Sequence, residues 1–289
     1  MLLGAVVLGG TIVAANVELF KSLPEPFRRQ HLRYEKQPTY IECGIDAITV
    51  WPGGTTISLE RLRRPDNDLR PVLDPLESNA TTRCLIVVQR PGSAGVFPSV
   101  HRAIRLRRIE VGHELIEAGM PLLDAVRDPE FVAGALVRPL DQKPVHFECR
   151  HNEVFYVSKD ELGAKVMAFI NQYRPLTRRE DMELMERRLR QVTFGDEFYL
   201  IDGVDYLMGR ITLRPRTGAA GESPRRLAEE SSAFRMRLAQ LNPRRQYAHF
   251  LVRDDSVGAL RAARAVAEKH KLEWRFTLLA GDSPLQFTE

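Results

Sequence analysis

Pro38-Thr39-Tyr40-Ile41-Glu42-Cys43 returns 106 positions later as Pro144-Val145-His146-Phe147-Glu148-Cys149. Pro, Glu and Cys are identical, and Ile41 and Phe147 exchange one apolar side chain for another. The likeness continues downstream. Asp46 corresponds to Asn152, and Ile48-Thr49-Val50 corresponds to Val154-Phe155-Tyr156. β-Branched and aromatic runs on both sides of an Asx position predict strand, tight turn and strand in each copy.

A second pair of segments matches at an offset of 163. Ile86-Val87-Val88-Gln89-Arg90 corresponds to His249-Phe250-Leu251-Val252-Arg253, Ser93 to Ser256 and Gly95 to Gly258. Residues 96–108 and 259–271 then share helical apolar spacing, with Val100, Ala103 and Ile104 in one and Leu260, Ala263, Val266 and Ala267 in the other. Each copy closes on a β-like run, His113-Glu114-Leu115-Ile116 and Trp274-Arg275-Phe276-Thr277-Leu278. The expected class is α+β, with two tandem β-β…β-α-β units of small mixed sheets carrying helices on one face, at 38–118 and 144–282.

Between the matched ends the copies diverge. The offset grows from 106 to 163, so the second copy carries 57 extra residues, an insertion at about 159–246. Apolar spacing predicts helices over 162–173 and 180–191. Residues 197–201 and 204–208 flank Asp202-Gly203, which predicts a hairpin with an Asp-Gly turn. Residues 214–226, rich in Pro, Gly, Ser and Arg, predict a loop. The first copy has only a proline-punctuated middle over 65–75, and residues 119–143 read as a linker.

Residues 1–17, MLLGAVVLGGTIVAANV, carry no charge before Glu18. As a helix they would span roughly 25 Å, slightly short of a ~30 Å hydrocarbon core, and residues 1–20 reach it if Glu18 snorkels. A membrane anchor over 1–20 is therefore expected, with a buried soluble-fold element as the alternative. Lys21, Arg28, Arg29 and Arg33 come after the segment and no basic side chain precedes it, which by the positive-inside rule favours a cytoplasmic location for the C-terminal part of the chain.

Opening hairpin, helix, strand ending in Arg, helix and strand resemble the envelope domains of the ExbD/TolR family of biopolymer-transport proteins, which follow a single N-terminal membrane helix. The second copy carries it best: residues 144–158 resemble the paired opening strands, and Phe250-Leu251-Val252-Arg253-Asp254 the central strand with its Arg and Asp. The resemblance covers roughly half the chain. It implies an inner-membrane protein with a periplasmic soluble part, a multi-span partner of the ExbB/TolQ type, and scope for homo-oligomers. The family's proton-coupling acidic residue has no counterpart in residues 1–17. Asn16 is the strongly polar side chain there and Glu18 lies at the border, so the fold and context carry over and the proton mechanism does not.

Composition narrows the chemistry. The 289 residues hold 44% hydrophobic and 28% charged side chains, an ordinary globular balance. The basic residues are 35 Arg and 7 Lys, yet the net charge of +4 does not argue for nucleic acid. Arg102, Arg105 and Arg108 predict a basic helical stripe, and Arg187, Arg188 and Arg190 a second cluster beside Glu180, Asp181, Glu183 and Glu186. Pairs such as Glu183–Arg187 and Glu186–Arg190 at i,i+4 spacing read as a solvated face. Arg225/Arg226 and Arg244/Arg245 complete the basic groups, and a soluble cytoplasmic module binding phosphate or nucleic acid through these faces is the alternative function.

Cys43 and Cys149 read as small buried strand positions, with a bridge between them as the alternative, and Cys84 opens a strand with no counterpart. Three cysteines without a CxxC argue against a disulfide framework or structural zinc. His146, Glu148, Cys149 and His151 look metal-like, but strand alternation sends His146 and Glu148 to one face and Cys149 and His151 to the other. Glu42 and Glu148 read as carboxylates solvated or paired with a nearby Arg, and Ser93 and Ser256 as helix caps whose neighbouring amides could hold an anion. No GxSxG, HExxH, Walker or GxGxxG sequence occurs. The expectation is a non-enzymatic interaction protein, with no catalytic, cofactor-binding or metal-binding residue and no cofactor.

Overall fold

The computed structural model describes residues 36–64, 69–105, 107–127, 142–173, 179–189, 191–205 and 209–288. The expected anchor at 1–20, Glu18 and Arg190 lie outside them. Among the described residues no helix is long and apolar enough to cross a membrane. The chain divides into two compact units, Met1–Pro139 and Leu140–Glu289, and the fold is α+β as expected.

In the first unit β1 (Gln37–Cys43) turns into β2 (Ala47–Trp51) and β3 (Thr55–Ser58). Helices α1 (Leu59–Leu62) and α2 (Arg70–Ser78) lead to β4 (Arg83–Gln89), then α3 (Phe97–Ile104), β5 (Val111–Leu115) and α4 (Leu122–Arg127). The sheet order is β3-β2-β1-β4-β5. β1 is antiparallel to β2 and parallel to β4, and β4 is parallel to β5. Alternation along β1 sends Ile41 and Cys43 to one face and Tyr40 to the other. The first face packs under Leu73 and Leu76 of α2 and Val100 and Ile104 of α3. The second is covered by Leu122, Ala125 and Val126 of α4. The start of the expected linker is thus part of the first unit's core, because α4 carries the apolar side chains that this face needs.

The second unit repeats the plan. β6 (Lys143–Arg150) and β7 (Glu153–Val157) form the hairpin, and β10 (Gln246–Arg253), α9 (Val257–Lys269) and β11 (Trp274–Leu279) close it. The order β11-β10-β6-β7 matches β5-β4-β1-β2. Register matches too. Cys43 pairs with Gln89 and Cys149 with Val252, while Leu85 pairs with Val111 and Ala248 with Trp274. Every one of these partners is related by the sequence offsets 106 or 163. Cys43 and Cys149 therefore occupy the same position of the same strand.

The insertion builds what the first unit lacks. It contributes α5 (Lys159–Asn171), α6 (Arg179–Leu189), β8 (Tyr199–Asp205), β9 (Arg210–Pro215), α7 (Pro224–Leu227) and α8 (Ala233–Ala239). β8 and β9 join β12 (Leu285–Thr288) in a separate antiparallel sheet, so the second unit extends past residue 282. That sheet buries Tyr199, Ile211, Leu213 and Phe287 against Phe155, Val157 and Leu251. Its face of the main sheet corresponds to the one α4 covers in the first unit.

Three local expectations change. Asp202-Gly203 is not a turn: β8 runs through it with a register shift between Ile201 and Gly203, a bulge that keeps Ile201 and Val204 packed against Val166, Ile170 and Met185. α3 stops at Ile104, so Arg108 is not on it. The chain after α3 is held by α2, where Arg107 pairs with Asp74 at 2.7 Å and Glu77 at 2.8 Å, and Glu77 also accepts from the Arg108 amide at 3.1 Å. Only part of residues 214–226 is loop, since β9 extends to Pro215 and α7 begins at Pro224.

The outer edge of β7 is also covered. Val154 and Glu222 exchange backbone hydrogen bonds of 2.9 and 3.0 Å, which removes part of an exposed strand edge. Gly221 makes this approach feasible, because a Cβ there would lie 2.8 Å from the Val154 carbonyl and 2.9 Å from the Phe155 ring. Gly221→Ala is expected to cost about 1–3 kcal/mol by overpacking. Denaturant unfolding checks it, and an unchanged midpoint would mean that the strap yields freely.

Candidate functional site

The feature common to both units lies at the C-terminal ends of their parallel strands, where open α/β sheets commonly bind ligands. Glu42 of β1 is ion-paired with Arg90, the residue after β4. In the second unit Glu148 of β6 takes the Nε and Nη2 groups of Arg253 on Oε1 at 2.9 and 2.8 Å. The remaining carboxylate oxygen has a different donor in each, Trp51 Nε1 at 2.7 Å for Glu42 and Tyr199 Oη at 2.7 Å for Glu148.

Each arginine then reaches the loop beyond the last strand. Arg90 donates to the carbonyls of Glu117 at 2.9 Å and Met120 at 2.7 Å. Arg253 donates to the Gly281 carbonyl at 2.5 Å and to Ser283 Oγ at 3.4 Å. One guanidinium thus joins the opening strand, the central strand and the closing loop. The carboxylates expected to be solvated or Arg-paired are Arg-paired, and in the second unit the pair is deeply buried. Arg150 adds a second cation at 3.8 Å from Glu148, with its guanidinium 4.4 Å from the Phe155 ring centroid. Burial, then the Glu148 charge and hydrogen bond, push the Tyr199 phenol well above its usual range.

Beside this network, Arg150, His151, Pro215, Arg253, Asp254, Asp255, Gly281 and Asp282 line a pocket of about 360 Å³. His151 and Asn152 both adopt positive φ, 53° and 56°, in the two-residue turn of the β6–β7 hairpin. That turn meets the start of α9. The His151 amide donates to Asp255 at 3.2 Å, its Nδ1 lies 3.0 Å from the other carboxylate oxygen, and the Asn152 amide donates to Ser256 Oγ at 2.9 Å. Burial would raise the Asp255 carboxyl, but hydrogen bonds from Ser256 and His151 outweigh it and hold it below the usual aspartate range.

Ser, His and Asp therefore meet without forming a nucleophile and base. Ser256 donates to Asp255 at 2.7 Å rather than to His151. Neither serine is the expected helix cap by its side chain: Ser256 ties the hairpin turn to α9, and Ser93 is buried with no hydrogen-bond partner for its hydroxyl. The chain matches no family model, no curated protein and no solved structure.

The cysteines are all buried and unbridged. Burial pushes the Cys43 thiol up to about 12 and Cys84 to about 11, and raises Cys149 further, so none is a ready thiolate. His146 and Glu148 do share a face and Cys149 takes the other, as alternation requires. Among the described residues no cluster of three or more His, Cys, Asp or Glu could hold a metal.

His146 has a different companion, His249. The two stand in register on β6 and β10 with ring centroids 5.2 Å apart, and His146 also meets the Phe287 ring at 4.9 Å. Sequence reasoning missed this pair because nothing local links residues 146 and 249. The Glu–Arg register was open to it, since Glu42/Glu148 and Arg90/Arg253 recur at the two offsets already found.

Proposed function

We propose that this chain is a membrane-anchored, non-enzymatic accessory subunit of an energy-transducing complex of the ExbB/ExbD or TolQ/TolR type. Its partner is a multi-span membrane protein, and its soluble units lie on the periplasmic side of the inner membrane. The observation that carries this reading is the shared plan of the two units. Each has the hairpin, the central strand ending in Arg and the closing α-β step on which the ExbD/TolR resemblance rests. In each, an internal Glu–Arg pair fixes the ends of these strands. A buried ion pair with directional hydrogen bonds suits a rigid interaction module better than a site of chemistry.

The expected result of fractionation is full-length chain in the membrane pellet after a high-salt wash, released by detergent, with a variant lacking residues 1–20 in the supernatant. A full-length chain that stays soluble without detergent would remove the anchor and most of this reading. Tight, steeply salt-dependent binding to nucleic acid would favour the soluble alternative instead.

A further inference from the structure

A pocket of about 230 Å³ opens beside the N-terminal ends of β6 and β10, at the opposite end of these strands from Glu148 and Arg253. Arg237 of α8 lies over the Tyr156 ring with its guanidinium carbon 4.0 Å from the centroid. Among the described residues, no carboxylate or carbonyl takes its N–H groups. Lys159 also lines the pocket. The acid among the lining residues, Asp160, is already neutralised by Lys143 at 2.7 Å. Arg244 and Arg245, both exposed, directly precede Gln246, and the charged residues of the lining itself are Arg237, Lys159 and the Lys143-paired Asp160.

The remaining groups are neutral. Burial, then His249 and Lys159, bring His146 down to about 4, so its imidazole is uncharged at neutral pH. Gln246 accepts the Asn242 amide through Oε1 at 3.0 Å, which leaves its NH2 as a donor, and Gln240 stands nearby. Val145, Val157 and Leu241 supply apolar wall. A planar guanidinium held against an aromatic ring loses little freedom on forming a two-pronged contact, and two cations suit a doubly charged oxyanion better than a single carboxylate.

We propose that this pocket binds a phosphoryl group, carried by a small phosphate monoester or by an anionic lipid headgroup. Arg237 makes the two-pronged contact, Lys159 supplies the second charge, and the glutamine amides complete the donor set. The site is independent of the Glu–Arg pair and of the proposed membrane partner.

The test titrates the full chain in detergent with inorganic phosphate and with glycerol phosphate, against chloride at equal ionic strength, by calorimetry. Saturable binding is expected for both phosphates. Arg237→Met should weaken it about tenfold or more, since a charge-assisted contact is lost. Arg237→Lys should recover only part, and Lys159→Met should weaken binding to a lesser degree. Arg102→Met, which removes an equal charge from an exposed position on α3, should leave it unchanged. If Arg237→Met does not fold, Lys159→Met and Gln240→Leu decide the matter, each with weakened binding expected.

Repeating the titration in nanodiscs separates the two sources. Phosphatidic acid that competes with phosphate identifies a headgroup ligand, and phosphatidic acid without effect identifies a soluble one. Phosphate binding no stronger than chloride, or binding indifferent to both Arg237→Met and Lys159→Met, would overturn the proposal.

Discussion

Arg253→Met is expected to destabilise the second unit by about 3–5 kcal/mol, because it strands a buried carboxylate. Glu148 has no solvent exposure and Arg253 only 8% at the side chain, so water cannot replace the lost guanidinium. Arg150, at 3.8 Å, compensates in part. The same change at Arg90 should cost less, about 1–3 kcal/mol, since Glu42 and Arg90 keep 14% and 18% exposure and Trp51 still donates to Glu42. Pairing Arg253→Met with Glu148→Leu should recover most of the loss, since both charges then leave the interior together. Denaturant unfolding of the full chain, with hydrogen exchange to assign each transition to its unit, checks the order. Equal costs in the two units would mean that burial does not set the penalty, and no recovery in the double variant would mean that the stranded carboxylate is not its source.

Acid should weaken the second unit before carboxylate protonation dominates. Burial is the main cause that brings both His146 and His249 from 6.5 to about 4, helped at His146 by His249 and Lys159 against Asp160, and at His249 by Arg275. The unfolded chain therefore takes up these protons first as pH falls. The stability conferred by the neutral pair is complete above about pH 6.5 and drains away towards pH 4, on the order of a few kcal/mol for the two together. His249 Nε2 also lies 2.9 Å from Thr277 Oγ1, a contact in which Nε2 can only donate once both ring nitrogens carry protons. Unfolding midpoints compared across that window should fall for the wild type. The double variant His146→Phe/His249→Leu should flatten the dependence, and an equally steep fall in that variant would assign it to the carboxylates instead.

Much of the fold was open to sequence reading because one chain carries the plan twice. Pro38/Pro144, Glu42/Glu148 and Cys43/Cys149 set one offset and Arg90/Arg253 the other, and strand pairing follows both without slippage. Alternation likewise placed His146 and Glu148 on one face. What escaped was long-range closure. β12 has no local signal for pairing with β9, and α4 lies in what reads as a linker until Tyr40, Ile86 and Val88 need a cover. Asp202-Gly203 misled for a related reason: turn propensity is local, whereas the packing of Ile201 and Val204 that carries β8 through it is tertiary. The candidate site divides the same way. Its Glu and Arg are repeated, while Tyr199, Asp255 and His249 reach their partners only through the folded topology.

Purification of the tagged full chain from cells solubilised in mild detergent bears on the proposed role without intermediaries. The expected result is a multi-span membrane protein retained in fixed proportion through size-exclusion chromatography and lost when residues 1–20 are removed. A chain that elutes alone from detergent, with the same profile whether or not residues 1–20 are present, would contradict its assignment as an anchored subunit of such a complex.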